Sequence, residues 1–278
     1  MDKKYIAVLS EESIGRYSAV PLSSVRMIRE DKLSRMGLSK DGSLLVMLIP
    51  YFVSDEKRNI SVYAAPRDYH LYFSILGEKL TSALKEDFPE YVFRTAADNS
   101  PVDEVDAAVK SGLGFFGDNG LFISPDFGSY VFIGGIYSDM PCEKYGIPPV
   151  INSRSECSHC GRCREACPGD PSDKKSGCLS AITQKKGILT SVEKDLIRKT
   201  GTAWGCDICQ QVCPFNTGVK DTEVRFFLED RTPYLTYDSV KDMSEEEFSS
   251  RAYSWRKRET ILRNLSILEG KEEESGGI

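Results

Sequence analysis

The distribution of apolar and polar residues predicts a mixed α/β arrangement in the first 150 residues. Short apolar runs rich in aliphatic and aromatic residues are typical of buried strands. Four such runs occur, at 44–49, 60–63, 121–123 and 130–133. A segment containing Pro125, Asp126 and Gly128 separates the last two runs, so we expect those two strands to be joined by a turn.

Helical periodicity is clearest between Tyr69 and Leu84, where apolar residues recur at intervals of three and four. A second helix is expected to begin at Ser100. In this interpretation Ser100 is the N-cap, Pro101 takes the first helical position and Asp103 supplies the acidic residue that follows a cap.

The later part of the chain is expected to contain a cysteine-rich module at 151–217 and a helical segment at 218–278. Within that segment a helix should begin at Ser244 and run toward Leu268. The charged, glycine-rich tail at 271–278 should be frayed. Residues 1–150 form the remaining, mixed α/β domain.

Composition limits the class of protein. The chain has 278 residues, of which 40% are hydrophobic and 28% charged, as in a globular protein with one sizeable domain and an added module. Its longest apolar run, 44–49, is far too short to span a membrane. No export signal is recognisable, so we expect a cytoplasmic protein without membrane contact. The net charge of −6 disfavours nucleic-acid binding except through a local patch.

The cysteines carry the strongest chemical signal. One group follows the spacing Cys-x-x-Cys-x-x-Cys-x-x-x-Cys-Pro, and a second repeats its latter half, at Cys157, Cys160, Cys163 and Cys167 and at Cys206, Cys209 and Cys213. Pro168 and Pro214 follow the last cysteine of each group. This is the spacing of bacterial ferredoxins, in which the cysteine before proline binds the other cluster. The sequence therefore predicts two 4Fe–4S clusters.

Two clusters need eight thiolates, and the second group lacks its first cysteine because Ala203 takes that position. Cys178 lies between the groups and is the expected substitute, although Cys142 is also available. We assign one cluster to Cys157, Cys160, Cys163 and Cys213, and the other to Cys167, Cys178, Cys206 and Cys209. A four-thiolate zinc site is the alternative, but it would leave three cysteines and both prolines unexplained. Cys142 is expected to be an ordinary buried thiol.

The segment 112–117 has the form Gly-x-Gly-x-x-Gly, the fingerprint of dinucleotide-binding proteins. That fingerprint requires a strand before it and a helix after it. Here the predicted order is reversed, so we do not expect a dinucleotide site. The glycines indicate a tight turn or a close approach of the backbone to a large ligand.

Five segments together resemble the epoxyqueuosine reductase family. They are Tyr63-Ala64-Ala65-Pro66-Arg67-Asp68-Tyr69-His70, Asp98-Asn99-Ser100-Pro101-Val102, Gly112-Leu113-Gly114-Phe115-Phe116-Gly117-Asp118-Asn119, the cysteine module ending at Asn216, and the pair Arg263-Asn264. The cysteine module alone is shared by many iron–sulfur proteins. The combination of segments is what makes the resemblance specific.

The resemblance implies a nitroreductase-like, cobalamin-binding core, here residues 1–150, beside a ferredoxin-like module with two 4Fe–4S clusters. It implies an oxidoreductase that reduces epoxyqueuosine in tRNA to queuosine, with Asp98 as the proton donor. The residues expected to bind the cofactor are Arg67, His70, Asp98, Gly112, Gly114, Gly117, Asn119, Gly120 and Gln210. Phe73 stands where a cobalt-binding segment has glycine, so we expect cobalamin without a protein nitrogen ligand from His70.

The expected partners are a low-potential electron donor of the ferredoxin or flavodoxin type and, weakly, tRNA. The tRNA contact is expected at the basic residues Arg256, Lys257, Arg258 and Arg263. The full-length family members continue into a helical-repeat domain, and Asp118 stands where they commonly have lysine. Two alternatives therefore stay open, a corrinoid reductase of small molecules similar to the reductive dehalogenases, and an electron-transfer protein without chemistry of its own.

Overall fold

The computed structural model describes residues 3–55, 57–96, 98–148, 156–170, 172–173 and 177–271. Its contacts divide the chain into two compact units. The sheet unit comprises Met1–Phe52, His70–Cys160 and Pro214–Arg225. The helical unit comprises Val53–Tyr69, Gly161–Cys213 and Phe226–Ile278. This division differs from the linear order 1–150, 151–217 and 218–278, because residues 53–69 pack with residues that follow far along the chain.

The sheet unit contains six strands and five α-helices among the residues described, in the order α1 Lys4–Glu11, β1 Arg16–Pro21, α2 Glu30–Arg35, β2 Ser43–Pro50, α3 Tyr69–Asp87, β3 Phe93–Ala96, α4 Glu104–Lys110, β4 Phe115–Phe116, β5 Phe122–Ile123, β6 Val131–Ser138 and α5 Cys142–Tyr145. Short 3-10 turns occur at Leu22–Ser24 and Pro214–Asn216. The first residue of α3 is assigned to the helical unit.

Four of these strands form one antiparallel sheet in the order β1-β2-β6-β3. In its centre, Leu45 of β2 lies opposite Ala19 of β1 and Ile136 of β6. Every residue of β2 is buried, which explains why its sequence is a continuous apolar run rather than an alternating one. The remaining strands, β4 and β5, form a separate hairpin.

The helical unit is built, in the described part of the chain, from α6 Arg162–Glu165, α7 Leu179–Thr183, α8 Ser191–Thr200, α9 Ile208–Gln211, α10 Arg225–Leu228, α11 Tyr237–Lys241, α12 Glu245–Ser249 and α13 Arg258–Glu269, with 3-10 turns at Val62–Ala64 and Ser254–Arg256. A core around Trp204, Tyr253 and Ile261 joins the segment near Ile60 to the C-terminal helices. A second, smaller core lies around α7 and α8.

Several predictions are confirmed. The apolar run 44–49 is β2, and the periodic stretch beginning at Tyr69 is the 19-residue helix α3. Ser244 is an N-cap whose hydroxyl accepts a hydrogen bond from Glu247 N at 3.1 Å. The helical stretch after it is nevertheless interrupted, since α12 and α13 are separate helices. The predicted frayed tail, from 272 onward, lies outside the described residues.

The strands expected at 121–123 and 130–133 are β5 and β6, and a turn closed by a bridge between Ser124 and Gly128 lies between them. They pair with different neighbours, since β5 pairs with β4 and β6 lies between β2 and β3.

Two predictions are wrong. Residues 60–63 do not form a strand: Ile60 makes a single bridge with Trp204 and a 3-10 turn follows, so the run is apolar because it is buried in the helical unit's core. The helix predicted from Ser100 begins at Glu104, where Asp103 accepts from Asp106 N at 3.0 Å as the N-cap.

No helix in the described ranges is both long enough and apolar enough to cross a membrane.

Candidate cofactor and catalytic sites

Five of the predicted cluster ligands come together in the helical unit. Burial raises the pKa of Cys209 to about 12, and the nearby thiols of Cys206, Cys178, Cys163 and Cys167 add to this effect. Burial likewise raises the pKa of Cys206 to about 11, with contributions from Cys178 and Cys167 among others. Thiols this close disfavour one another's negative charge, and iron is what would compensate that charge. The donor set therefore fits a metal cluster.

The two candidates for the eighth ligand lie in different units. Cys178 directly precedes α7 and is a neighbour of both Cys206 and Cys209. Cys142 begins α5 in the sheet unit, where burial and the charge of Glu143 raise its pKa to about 11. The placement favours Cys178, and its role as a ligand stays a prediction.

A buried carboxylate lies between two of the predicted ligands. Asp207 is only 5% exposed, and it accepts hydrogen bonds from Ser61 Oγ, from Val62 N at 2.9 Å and from Gln210 Nε2 at 3.1 Å. Arg58 Nη2 lies 3.8 Å away. Burial raises the pKa of Asp207, and these donors and the Arg58 charge oppose that shift. The loop that carries Cys206 and Cys209 is thus fixed to residues 58–62.

Gln210, expected to contact the cofactor, is therefore buried and bonded within this network. Sequence reasoning missed the hydrogen-bonded pair of Asp207 and Ser61. The one signal of it in the sequence was the acidic residue between the two cysteines.

Asn264 holds the two ligand-bearing segments of the helical unit together. Its buried amide nitrogen donates to the carbonyl oxygens of Thr183, at 2.7 Å, and Ala203, at 2.8 Å. Thr183 ends α7, which begins next to Cys178, and Ala203 precedes Cys206 by three residues. The resemblance at Arg263-Asn264 thus has a structural reason.

Cys157 and Cys160, the first two predicted ligands, belong to the sheet unit. There His159 Nδ1 lies 3.0 Å from Asp118 Oδ1, and the ligand atoms of Asp118, Cys157 and His159 all lie within 4.8 Å of one another. This contact ties the predicted cluster loop to the β4–β5 hairpin. Asp118 thus has a histidine partner within the sheet unit.

Asp98 lies beside His70 in the sheet unit. His70 Nε2 is 3.1 Å from Asp98 Oδ2, and both side chains are about half exposed. Asp98 has a φ of 56°, a left-handed conformation that is uncommon for residues other than glycine and often occurs at functional sites. The sequence did not reveal this pairing, because the two residues are 28 positions apart.

The loop after Asp98 is held in place by α2 and the residues before it. Asn99 accepts hydrogen bonds from Arg29 Nη1 and Lys32 Nζ. The carbonyl oxygen of Pro101 accepts from the backbone N–H groups of Ile28 and Arg29, both at 2.8 Å. Asp98 is thus the end of an anchored loop.

A second carboxyl group, Glu104, lies close to Asp98. Burial raises the pKa of Glu104 to about 7; the hydrogen bond from the Ser100 hydroxyl opposes this shift and the charge of Asp98 adds to it. Tyr137 is buried in the same region, and burial raises its pKa as well. Sequence reasoning assigned Ser100 to helix capping and missed Glu104, although a carboxylate four residues after a serine in a predicted first turn was visible.

A cavity of about 250 Å³ opens next to His70. Its lining includes His70, Phe73, Gly77, Thr95 and Gly135. This volume suits a small group rather than a whole corrin ring.

The predicted cofactor-binding glycines lie in and before the β4–β5 hairpin, and each has a local structural reason. Gly112 and Gly120 have φ of 78° and 79°. A Cβ on Gly114 would lie 2.2 Å from the carbonyl oxygen of Ile123, and a Cβ on Gly117 would lie 2.6 Å from Ile123 Cδ1. The hairpin alone therefore accounts for these glycines, so their proposed contact with a cofactor needs other support.

Two groups on this hairpin provide such support. Phe116 is 56% exposed, which leaves a flat apolar surface. The buried side-chain nitrogen of Asn119 has no acceptor among the described residues. A corrin carries carboxamide side chains whose oxygens accept hydrogen bonds, so these two groups fit a corrin. Arg67, in contrast, belongs to the helical unit, where its guanidinium lies 4.9 Å from the ring centroid of Phe226 and its Nε 3.2 Å from Asp230.

Two of the four basic residues expected to contact tRNA are engaged in internal contacts. Arg258 Nη1 donates to the carbonyl oxygens of Val240 and Met243, at 2.6 and 2.8 Å. Arg263 Nη1 donates to the carbonyl oxygens of Lys185 and Gly187. Their guanidinium groups stabilise the helical unit. Of the other two residues, Lys257 is exposed, and the Arg256 guanidinium lies 3.8 Å from the ring centroid of the exposed Trp255.

Comparison with known proteins agrees with the prediction of two 4Fe–4S clusters. Residues 156–216 match the family described as a 4Fe-4S double cluster binding domain. An epoxyqueuosine reductase of Listeria monocytogenes is 30% identical over 217 residues, covering 72% of this chain and 54% of that protein. One from Cyclobacterium marinum is 30% identical over 240 residues, covering 82% of this chain and 76% of the relative. The chain thus spans about half the length of the Listeria protein.

Solved structures show the same fold. The structure of an epoxyqueuosine reductase with an epoxyqueuosine-modified tRNA-Tyr stem loop matches with a TM-score of 0.75 at 20% identity, over 95% of this chain and 79% of that one. A Bacillus subtilis epoxyqueuosine reductase, with its catalytic aspartate loop swung out of the active site, matches with a TM-score of 0.74 at 20% identity, over the same shares of both chains.

The expected mixed fold with a double-cluster module is therefore confirmed, and the expected cofactors, two 4Fe–4S clusters and cobalamin, agree with the family. This chain belongs to the epoxyqueuosine reductase family.

Proposed function

We propose that this chain is a cobalamin- and iron–sulfur-dependent oxidoreductase that reduces epoxyqueuosine in tRNA to queuosine. The observation that carries the proposal is the pairing of Asp98 with His70 at 3.1 Å, on an anchored loop and beside a cavity, in a chain of this family. Removing the epoxide oxygen as water takes two electrons and two protons, so the protein needs an electron supply and a positioned acid.

The electron supply is proposed to be the two clusters. Cys167, Cys178, Cys206 and Cys209 would hold one, with Asp207 and Asn264 fixing the loops that carry these ligands. Cys157, Cys160, Cys163 and Cys213 would hold the other. Cobalamin, when bound, would supply a strongly reduced cobalt that can attack an epoxide carbon.

The acid is proposed to be Asp98. Its carboxyl group, exposed at the end of the anchored loop, would give a proton to the departing oxygen. His70 would orient that carboxyl through the contact at 3.1 Å. Phe116 and the Asn119 amide would lie against the corrin.

The substrate is proposed to be a modified nucleoside in tRNA, as in the relative whose structure contains a modified stem loop. Arg256 and Lys257 would contact the phosphate backbone, and the binding constant should therefore fall steeply with salt. The acidic balance of the chain argues that this contact is local and weak.

The deciding experiment is anaerobic turnover. Reconstituted protein with cobalamin and a chemical reductant is incubated with epoxyqueuosine-containing tRNA, and queuosine is measured by mass spectrometry of nucleosides. Formation of queuosine supports the proposal. Clusters and corrinoid absorbance without queuosine would instead favour a small-molecule substrate, and clusters without corrinoid binding would favour an electron carrier.

A further inference from the structure

Residues 185–199 of the helical unit expose two large aliphatic side chains four positions apart. Ile188 is 91% exposed and Val192 is 68% exposed, whereas Leu189 between them is 3% exposed. We call residues 185–199 the α8 surface. Exposed aliphatic residues of this kind, surrounded by charged ones, often mark a protein interface.

The loop that carries Ile188 is held in one conformation by several hydrogen bonds and an ion pair. Arg263 Nη1 donates to the carbonyl oxygens of Lys185, at 2.7 Å, and Gly187. A capping box joins Thr190 and Glu193 at the start of α8, and Lys185 Nζ lies 2.8 Å from Glu193. The side chain of Ile188 is therefore presented in a preformed position, which lowers the entropy cost of binding a partner.

The α8 surface is basic in an acidic protein. It contains five basic and two acidic residues, a net charge of +3, whereas the whole chain carries −6. Both acidic residues are paired within the surface, Glu193 with Lys185 and Asp195 with Arg198. The other basic residues of the surface are Lys186, Lys194 and Lys199. Such a patch attracts an acidic partner and speeds its association.

The α8 surface also packs, through its buried side chains, in the same apolar cluster as a predicted cluster ligand. Leu189 and Ile197 belong to the same buried apolar cluster as Leu179 and Ile182 of α7, and Cys206 packs against that cluster. Cys178 precedes α7, whose five residues span about 7.5 Å. The α8 surface thus shares one buried apolar cluster with the segments that carry Cys178 and Cys206.

We propose that the α8 surface is the docking site for an acidic, low-potential one-electron carrier protein. This rests on the proposed function in so far as the clusters need an external reductant. In each encounter the carrier loses one electron and the cluster of Cys178 and Cys206 changes from the 2+ to the 1+ state, with no bond or proton transferred. Two encounters supply the two electrons of the reaction. RNA fits this surface less well, because Ile188 and Val192 offer no aromatic face for stacking on bases.

The test uses reduced flavodoxin as the carrier and the cluster-loaded chain as the acceptor. Cluster bleaching is followed by anaerobic stopped flow, with dithionite as a small reductant that needs no docking site. We expect Ile188→Asp and Lys186→Glu each to slow reduction by flavodoxin at least about tenfold while the dithionite rate is unchanged. Calorimetry with oxidised flavodoxin should show a matching increase in Kd.

Leu228→Asp and Lys241→Glu are the matched controls, since Leu228 is 45% exposed on α10 and Lys241 is exposed on α11. In both control variants, flavodoxin should reduce the cluster at the wild-type rate. The proposal is overturned if the α8 variants retain the wild-type rate with flavodoxin. It is also overturned if the α8 variants weaken binding of a tRNA stem loop instead of flavodoxin. The same holds if Ile188→Asp changes the oligomeric mass of the protein in the absence of any partner, since the surface would then be an interface between copies of this chain. Because the readout is cluster absorbance, a chain that forms no queuosine can still pass this test.

Discussion

His70 Nε2 and Asp98 Oδ2 are 3.1 Å apart, and Asp98 keeps this position with a left-handed backbone. If Asp98 is the proton donor, Asp98→Asn should bind cobalamin normally and lose turnover by roughly two to four orders of magnitude. Single-turnover queuosine formation measures the loss, and the absorption of bound cobalamin checks the site. Asp41→Asn, at an exposed position, is the control. A near-normal rate in Asp98→Asn would reduce Asp98 to a turn residue.

The second prediction concerns the pH dependence of stability. Burial raises the pKa of Glu104 from 4.5 to about 7, so the folded state holds this proton more tightly than the unfolded chain does. The resulting stabilisation is complete below pH 4.5 and is lost as the pH rises through 7. Between pH 6 and pH 8 the loss should be on the order of 1 kcal/mol.

Glu104→Gln should remove this dependence. The measurement is the free energy of unfolding in urea at both pH values, with the exposed Glu90→Gln as the control. An unchanged slope in Glu104→Gln would mean that the carboxyl group is ionised in the folded protein at neutral pH.

The third prediction separates the two candidates for the eighth cluster ligand. Cys178→Ala should lose one cluster after anaerobic reconstitution and fall from about eight to about four iron atoms per chain. Cys142→Ala should keep both clusters, because Cys142 lies at the start of α5 and has Glu143 as its charged neighbour. Iron and sulfide analysis of the two variants decides between the candidates. Loss of a cluster in Cys142→Ala but not in Cys178→Ala would make Cys142 the eighth ligand.

The fourth prediction tests the structural role of the glycine segment. A Cβ on Gly114 would lie 2.2 Å from the carbonyl oxygen of Ile123, whereas a Cβ on Gly15 would meet nothing within 4 Å. Gly114→Ala should therefore lower the free energy of unfolding by roughly 1–3 kcal/mol even without cofactor. Gly15→Ala should leave it almost unchanged. If Gly114→Ala instead weakens only cobalamin binding, this glycine serves the cofactor and not the hairpin.

Sequence reasoning succeeded where neighbours in the chain decide the outcome. The strand at 44–49, the helix from Tyr69 and the spacing of the cysteines depend on residues within a few positions of one another. The cap of α4 was missed by three residues, because Ser100 and Asp103 are both good caps. Contacts from α2 with Asn99 fix the loop before α4, so Asp103 becomes the cap.

What could not be predicted depends on partners far along the chain. The run at 60–63 looks like a strand, but Trp204 takes the place of a neighbouring strand. The high pKa of Glu104 results from burial near Tyr137. The carboxylate of Asp207 is satisfied by Ser61, which is 146 positions away. No local pattern reports such burial.

Residues 53–69 pack with the cysteine-bearing loops of the helical unit. This contact limits which fragments of the protein can fold and affects the order of folding during synthesis. A fragment of residues 151–217, the module expected from the sequence, would lack Ser61 and Val62, so the Asp207 carboxyl group would lose two of its hydrogen-bond donors. During synthesis, residues 53–69 leave the ribosome long before Asp207 exists. The helical unit therefore completes its folding late, and its cysteines stay open to oxidation until the second group has emerged.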